Sequence, residues 1–187
     1  MNRTDPALWD RIERHAIGPA QASLTFADRL ARENRWSPAH AARVVREYKR
    51  FCYLARTAAP GEQVTPSDAV DQAWHLHLTY SRDYWEVFCP QVLGAPLHHG
   101  PTAGGAVERA RYYDQYAATL KAYESAFGEA APGDIWPGAH RRFKIDPLAV
   151  RINPRDVMIV SRTKAIGLAL TASLAAGLGG WLLGGMF

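Results

Sequence analysis

The stretch WHLHLTYSRDYWEVFCPQVLGAPLHHG runs from Trp74 to Gly100 and concentrates the reactive side chains of this chain. It holds four of the seven histidines and one of the two cysteines of a 187-residue protein. Apolar residues recur at helical spacing in its first two thirds, and proline and glycine dominate its last third. This pattern predicts helices followed by a loop that can turn back onto them.

Three helix starts that precede this stretch have a common form. Asp5, Ser37 and Thr65 each precede a proline, so a capping side chain stands before a residue suited to the first helical position. Thr65 and Asp68 also form a capping box. Three apolar faces follow at helical spacing: Val44, Tyr48, Phe51, Cys52 and Ala55; Val70, Ala73, Trp74 and Leu78; and Tyr113, Tyr116, Leu120, Tyr123 and Phe127.

These patterns predict an all-α fold. The longest helix is expected from about Gly105 to Phe127, with Gly128 as its C-terminal stop. The helix after His77 is expected to end at Cys89, because a proline follows it. The only strand-like segment, LAVRINPRDVMIV at residues 148–160, is interrupted by a proline. We therefore expect an irregular bundle of five or six helices plus one C-terminal transmembrane helix.

The C-terminal segment, residues 165–187, has no charged side chain over 23 residues. Roughly 20 apolar residues suffice to cross a bilayer. Arg162 and Lys164 precede the segment, and such residues normally stay on the cytoplasmic side. We therefore expect a cytoplasmic helical domain at residues 1–144, a basic linker at 145–164 and a membrane anchor at 165–187. The alternative is a buried hairpin of a soluble core.

Composition and charge limit the classes of binding partner that we expect for this chain. The net charge of +4 is mild, so no nucleic acid is expected. The expected partner is the lipid bilayer, reached through residues 165–187, and the basic linker favours anionic phospholipid. Small residues recur every four positions in the anchor, which suggests association with another helix. Trp136 and Trp181 are typical of membrane-interface positions.

The two cysteines, Cys52 and Cys89, are 37 positions apart, and no CxxC occurs. This spacing indicates reduced thiols in a reducing compartment. Redox sensing by this pair is a third functional idea, although neither thiol has a basic neighbour in sequence that would activate it.

Helical geometry assigns His75 and His77 to different faces. Residues two apart on an α-helix point about 200° apart. His77 shares the core face of Trp74, whereas His75 lies four residues after Asp71, where the two could hold one ion. The candidate metal ligands are Asp71, His75, His77 and His98, with His99 as the alternative to His98 and Cys89 as the alternative to His77. Zinc would accept such a mixture.

The same histidines have two other interpretations. Imidazole and aromatic groups could pin the loop onto the helices through hydrogen bonds, or they could perform catalysis without a metal. HEXXH, the Walker loop, GxGxxG and Gly-x-Ser-x-Gly are all absent from the sequence. No motif therefore names a reaction.

Three segments carry a resemblance to a known family: YKRFCYLARTA, VTPSDAVDQAWHLHLTYSRDYWEVFCPQVLGAPLHHGPT and IWPGAHRRF. Between Arg43 and Phe143 the chain resembles the bacterial branch of the glycine-rich domain-containing protein-like family. The family pattern is Asp-x-x-Trp-His-x-His, then Tyr and Cys, then Gly-x-x-x-His. Its positions here are Asp71, Trp74, His75, His77, Tyr84, Cys89, Gly94 and His98.

This resemblance implies a helical domain and little about activity, and it names no substrate. From the tail and the basic residues before it, we expect a bacterial inner-membrane location. Plant members carry glycine-rich and RNA-binding parts that this chain lacks. Two functions are therefore open. The first is a tail-anchored protein whose cytoplasmic domain is a binding or scaffolding module for an unknown protein. The second is a membrane-tethered metal enzyme, hydrolase-like, with Asp71, His75 and His98 as ligands.

Overall fold

The computed structural model describes residues 5–19, 21–100, 102, 104–146, 160, 166 and 167. The chain divides into two compact units, Met1–Pro147 and Leu148–Phe187, and the first contains all the helices named here. The α-helices are α1 (Pro6–Arg14), α2 (Phe26–Asn34), α3 (Pro38–Thr57), α4 (Asp68–Thr79) and α5 (Ala106–Phe127). Two π-helices are π1 (Asp83–Leu93) and π2 (Arg141–Ile145).

The described residues include no strand, so the all-α prediction is confirmed. They form seven helices, whereas five or six were expected. The predicted helix over Gly105–Phe127 is confirmed as α5, and Gly128 ends it in the left-handed conformation with φ +70°. Helix α2 was not anticipated, although its capping box between Thr25 and Asp28 is visible in the sequence.

Two of the three predicted helix caps are confirmed. The Asp5 carboxylate accepts a hydrogen bond from the Leu8 amide at 2.8 Å, and Ser37 caps α3 in the same way. The third prediction is wrong, because Ser67 caps α4 in place of Thr65. The backbone N–H of Thr65 instead donates to the hydroxyl of Thr119 on α5, at 3.0 Å. Thr65, which the local sequence suggests as a cap, therefore makes a long-range contact with α5 instead.

Helix α3 is the centre of the bundle and contacts α1, α2, α4, α5 and π1. The buried face predicted for it is confirmed, since Tyr48 and Phe51 are fully buried. Its buried Glu47 carboxylate accepts hydrogen bonds from the Tyr123 hydroxyl at 2.8 Å and the Trp136 indole at 3.0 Å. Trp136 is therefore a core residue, and its assignment to a membrane interface was wrong.

Helix π1 continues past Pro90, where the sequence predicted an end at Cys89. A π-helix directs each backbone amide to the carbonyl five residues earlier, and proline has no amide hydrogen to donate. The side-chain amide of Gln91 donates to the carbonyl of Glu86 at 2.8 Å. The helix then ends at Gly94, whose φ is +75°. Pro90 is thus accommodated within a π-helix, which the apolar pattern alone could not reveal.

None of the described helices has the length and apolar character that a bilayer crossing requires. The predicted anchor at 165–187 lies outside the described residues, except for Ile166 and Gly167. The strand-like segment at 148–160 also lies outside them, except for Val160.

Candidate functional site: two histidine–aspartate clusters

Helix α4 presents His75 and His77 to different surroundings, as the sequence predicted. The His77 side chain is fully buried, whereas that of His75 is 48% exposed. Each histidine belongs to a separate group of two imidazoles and one carboxylate. The buried cluster is His15, His77 and Asp83. The surface cluster is Asp71, His75 and His99.

The buried cluster is centred on one carboxylate oxygen. Asp83 Oδ2 lies 2.7 Å from Nε2 of His77 and 3.1 Å from Nε2 of His15. The second ring nitrogen of His77, Nδ1, lies 2.8 Å from the hydroxyl of Tyr48. Both nitrogens of the buried imidazole therefore have polar partners, as a buried polar group requires.

Aromatic side chains enclose His77 and set its protonation state. The rings of Tyr84 and Phe88 lie 4.9 Å from the imidazole, and that of Phe26 lies at 5.9 Å. Burial lowers the pKa of His77 to about 4, although the hydrogen bond that its ring donates to Asp83 favours the charged form. Burial also raises the pKa of the Tyr48 hydroxyl well above its ordinary value. At neutral pH the pair is therefore an uncharged imidazole beside an uncharged phenol.

His15 lies outside any helix, and side chains from other elements fix its position. The Lys49 ammonium donates to the backbone carbonyls of Glu13 and His15, both at 2.7 Å. Further along the loop, Gly18 has φ +81° and lies so close to Tyr80 that a Cβ there would come within 2.7 Å of the ring. Glycine is suited to such a close approach. The loop is thereby held against α3 and α4, with His15 facing Asp83.

The surface cluster is formed where the loop after π1 meets α4. Asp71 Oδ1 lies 3.0 Å from Nε2 of His99, and Asp71 Oδ2 lies 3.6 Å from Nε2 of His75. The two imidazole rings are 4.5 Å apart. Asp71 is 26% exposed and His99 is 21% exposed, so solvent reaches all three side chains.

A hydrogen-bonded chain explains why His99, and not His98, turns towards α4. The Trp74 indole donates to the Tyr84 hydroxyl at 2.8 Å, and that hydroxyl donates to the carbonyl of Leu97 at 2.5 Å. The loop is thus anchored one residue before the two histidines. His99 then lies on the Trp74 ring at 4.6 Å, whereas the exposed His98 lies near Trp85.

The structure brings together only part of the predicted ligand set. Asp71 and His75 meet as expected, and His99 joins them in place of His98. His77 is turned away into the buried cluster because it lies on the core face. Cys89 is a buried free thiol whose pKa is raised by burial, and it belongs to neither cluster.

His15 and Asp83 were not predicted from the sequence as site residues. Neither has a local signature: Asp83 is the first residue of π1, six positions after His77, and His15 follows the end of α1. An acidic residue just beyond a buried histidine is a usable signal for a partner. No signal in the sequence connects His15 with Asp83 of π1, because 68 positions separate the two residues.

Both clusters have the composition of a metal site. In each, the two imidazole nitrogens and the carboxylate oxygen lie within 4.8 Å of one another. Two histidines and one carboxylate suit zinc, and they also suit the iron of non-heme oxygenases. The clusters differ in access, because the first is largely buried and the second is open to solvent.

Comparison with known proteins places both clusters inside a recognised domain. No curated protein and no solved structure matches this chain. A family model described as UCP032817-like matches residues 15–116, which is more than half of the chain and contains every residue of the two clusters. This chain belongs to the UCP032817-like family.

Proposed function

We propose that this chain is a membrane-anchored metal-binding protein whose helical domain holds a divalent ion, such as zinc, at Asp71, His75 and His99. The observation that carries the proposal is the convergence of these three side chains within 4.8 Å on a solvent-accessible surface. Three protein ligands leave the fourth tetrahedral position for water or substrate, which is the arrangement of catalytic zinc sites. A hydrolase-like reaction of a metal-bound water is the activity that such a site would support.

The distances in the surface cluster support this proposal. Bonds of about 2.1 Å from a zinc ion separate neighbouring ligand atoms by about 3.0 to 3.4 Å. The Asp71 oxygens lie 3.0 Å from His99 and 3.6 Å from His75, which brackets that range. Asp71 and His75 come from one helix at a spacing of four, and Trp74 supports the ring of His99. Asp71 therefore already lies near ligand spacing from both imidazoles.

Elemental analysis of the purified full chain tests the metal proposal. The chain is purified in detergent without a metal-affinity column and dialysed against zinc. His99→Gln removes one proposed ligand, and His98→Gln is the matched control on the neighbouring residue. We expect His99→Gln to lose one zinc ion per chain and His98→Gln to retain it. Equal zinc contents in the two variants would contradict the proposal.

The membrane part of the proposal rests on residues 165–187. Their lack of charge over 23 residues and the preceding Arg162 and Lys164 support a single anchor in a bacterial inner membrane, with the helical domain in the cytoplasm. We also propose that this chain is a member of the glycine-rich domain-containing protein-like family, which it resembles. We expect the full chain to stay in the membrane fraction after an alkaline wash, and a chain ending at residue 160 to be released. Release of the full chain by that wash would contradict the anchor.

A binding or scaffolding role is the second candidate, and exposed apolar side chains on π1 favour it. Trp85 is 43% exposed and Val87 is 37% exposed. Exposed tryptophans are frequent anchors of protein interfaces. A photo-crosslinking residue at position 85 is expected to capture a defined partner in cells. The same residue at position 107, where Val107 is 87% exposed on α5, is the control. Indistinguishable crosslinking at both positions would argue against this role.

A further inference from the structure

We infer that His15, His77 and Asp83 form a second divalent-metal site, of the two-histidine, one-carboxylate type. The site goes beyond the proposed function and does not depend on it, since the two clusters share no residue. Three observations carry the inference: the convergence of the ligand atoms, the support given to His77, and the groove that reaches Asp83.

The ligand atoms point to one position. Both histidines direct the same nitrogen, Nε2, at Asp83 Oδ2, at 2.7 Å and 3.1 Å. Ligand atoms around a first-row metal ion are about 3.0 to 3.4 Å apart. The first of these distances is slightly shorter than that separation and the second lies within it, so Asp83 Oδ2 already lies near ligand spacing from both imidazoles.

The surroundings of His77 match those of a histidine that binds a metal. A neutral imidazole that coordinates through Nε2 carries its proton on Nδ1, and that proton normally has an acceptor. Nδ1 of His77 lies 2.8 Å from the Tyr48 hydroxyl, whose oxygen can accept it. The enclosing rings of Tyr84 and Phe88 exclude water from the rest of the imidazole. The ring is thus held neutral and in a fixed orientation.

Of the three proposed ligands, Asp83 is the one that a surface groove reaches, so an open coordination position would lie on its side. This residue lines a groove of ≈ 510 Å³ together with Gly18, Tyr80, Arg82 and Glu86. A ligand set of two histidines and one carboxylate with open positions is typical of non-heme Fe(II). The metal class that fits is therefore a first-row divalent ion such as Fe(II), and Co(II) is an air-stable probe for it.

The competing explanation is a metal-free cluster in which both imidazoles donate to the Asp83 carboxylate. The two explanations differ in what His15→Gln does. A glutamine amide can still donate a hydrogen bond to Asp83, but it is a poor metal ligand. The variant therefore preserves a structural role and removes a metal-binding one. Unchanged thermal unfolding without metal would show that the variant is folded.

The experiment measures cobalt bound per chain in the full-length protein in detergent, after removal of metal by a chelator. We expect about two ions for the unmodified chain, one for His15→Gln and one for His99→Gln. Each single variant should also lose part of the increase in thermal midpoint on adding cobalt, because binding to the native state stabilises it. His98→Gln is the control and should retain both ions.

Failure of this inference is distinguishable from failure of the surface site. Full cobalt binding by His15→Gln would overturn the buried site. One ion in the unmodified chain that His99→Gln loses and His15→Gln keeps would also overturn it, while supporting the surface site. One ion that His15→Gln loses and His99→Gln keeps would support the buried site and contradict the surface one. No bound ion in any variant would overturn both.

Discussion

The buried and surface clusters contain the same residue types and are joined by one helix, yet their environments are opposite. His77 is fully buried and bonded through both ring nitrogens, whereas His75 is 48% exposed and lies 3.6 Å from Asp71. The two histidines are only two positions apart in sequence. The difference shows that helical phase, and not residue type, determines whether an imidazole is part of the core or available to solvent.

The largest expected effect is the loss of stability in His77→Ala. The substitution opens a cavity in the core, removes the imidazole partner of the Tyr48 hydroxyl and removes one of the two imidazole partners of Asp83. We expect the free energy of unfolding to fall by about 4 kcal/mol. His75→Ala on the exposed face should lower it by less than about 1 kcal/mol. Denaturant unfolding of both variants measures the contrast, and equal losses would invalidate the assignment of the two faces.

Acid should destabilise the metal-free protein through the buried His77. The pKa of His77 is about 4 in the fold and 6.5 in an unfolded chain, so the unfolded state binds more protons between these values. The stability from the neutral imidazole is complete above pH 6.5 and is lost as the pH falls from 6.5 to 4. Its full size is about 3 kcal/mol.

Unfolding experiments across this pH range, in the presence of a chelator, check the sign. Lys49 and His15 oppose protonation of His77, and Asp83 favours it, so burial is the cause that prevails. His75→Ala should retain the acid-dependent loss, and His77→Gln should lack that component. A chain with the same stability at pH 6.5 and pH 4.5 would contradict the prediction.

Replacing the carboxylate of each cluster should also give two different losses of stability, with a smaller difference than between the two histidine variants. Asp83→Asn weakens two hydrogen bonds to a charged acceptor, one of them from a buried imidazole, and should cost about 2 kcal/mol. Asp71→Asn weakens a contact that solvent screens and should cost less than about 1 kcal/mol. Thermal unfolding of the metal-free variants compares them. A larger loss for Asp71→Asn would reverse the ranking of the two clusters.

The smallest effect is expected at His98, which the sequence offered as a metal ligand. Its side chain is exposed and contacts only the ring of Trp85 among the described aromatic contacts. His98→Ala should change the free energy of unfolding by less than about 0.5 kcal/mol. Zinc and cobalt binding should be unaffected. A loss of metal in this variant would show that His98, and not His99, completes the surface cluster.

Much of the fold and two of the three residues of the surface cluster follow from the sequence, for local reasons. Helix starts at Asp5 and Ser37, the stop at Gly128, and the pairing of Asp71 with His75 all depend on residues within one or two turns. Prediction failed at Thr65, Pro90 and Trp136, where a partner distant in sequence or an unusual helix changed the local outcome. At each of these positions, a packing or hydrogen-bonding requirement overrode the local preference of the sequence.

The periodicity of α4 was sufficient to separate His75 from His77, because the helical repeat of 3.6 residues fixes the direction of every side chain on one helix. It could not supply the partners of either histidine. Those depend on the loop anchored by Tyr84 at Leu97, which brings His99 to Asp71, and on the segment held by Lys49, which brings His15 to Asp83. Both contacts join residues far apart in the chain, so only packing of the whole bundle creates them.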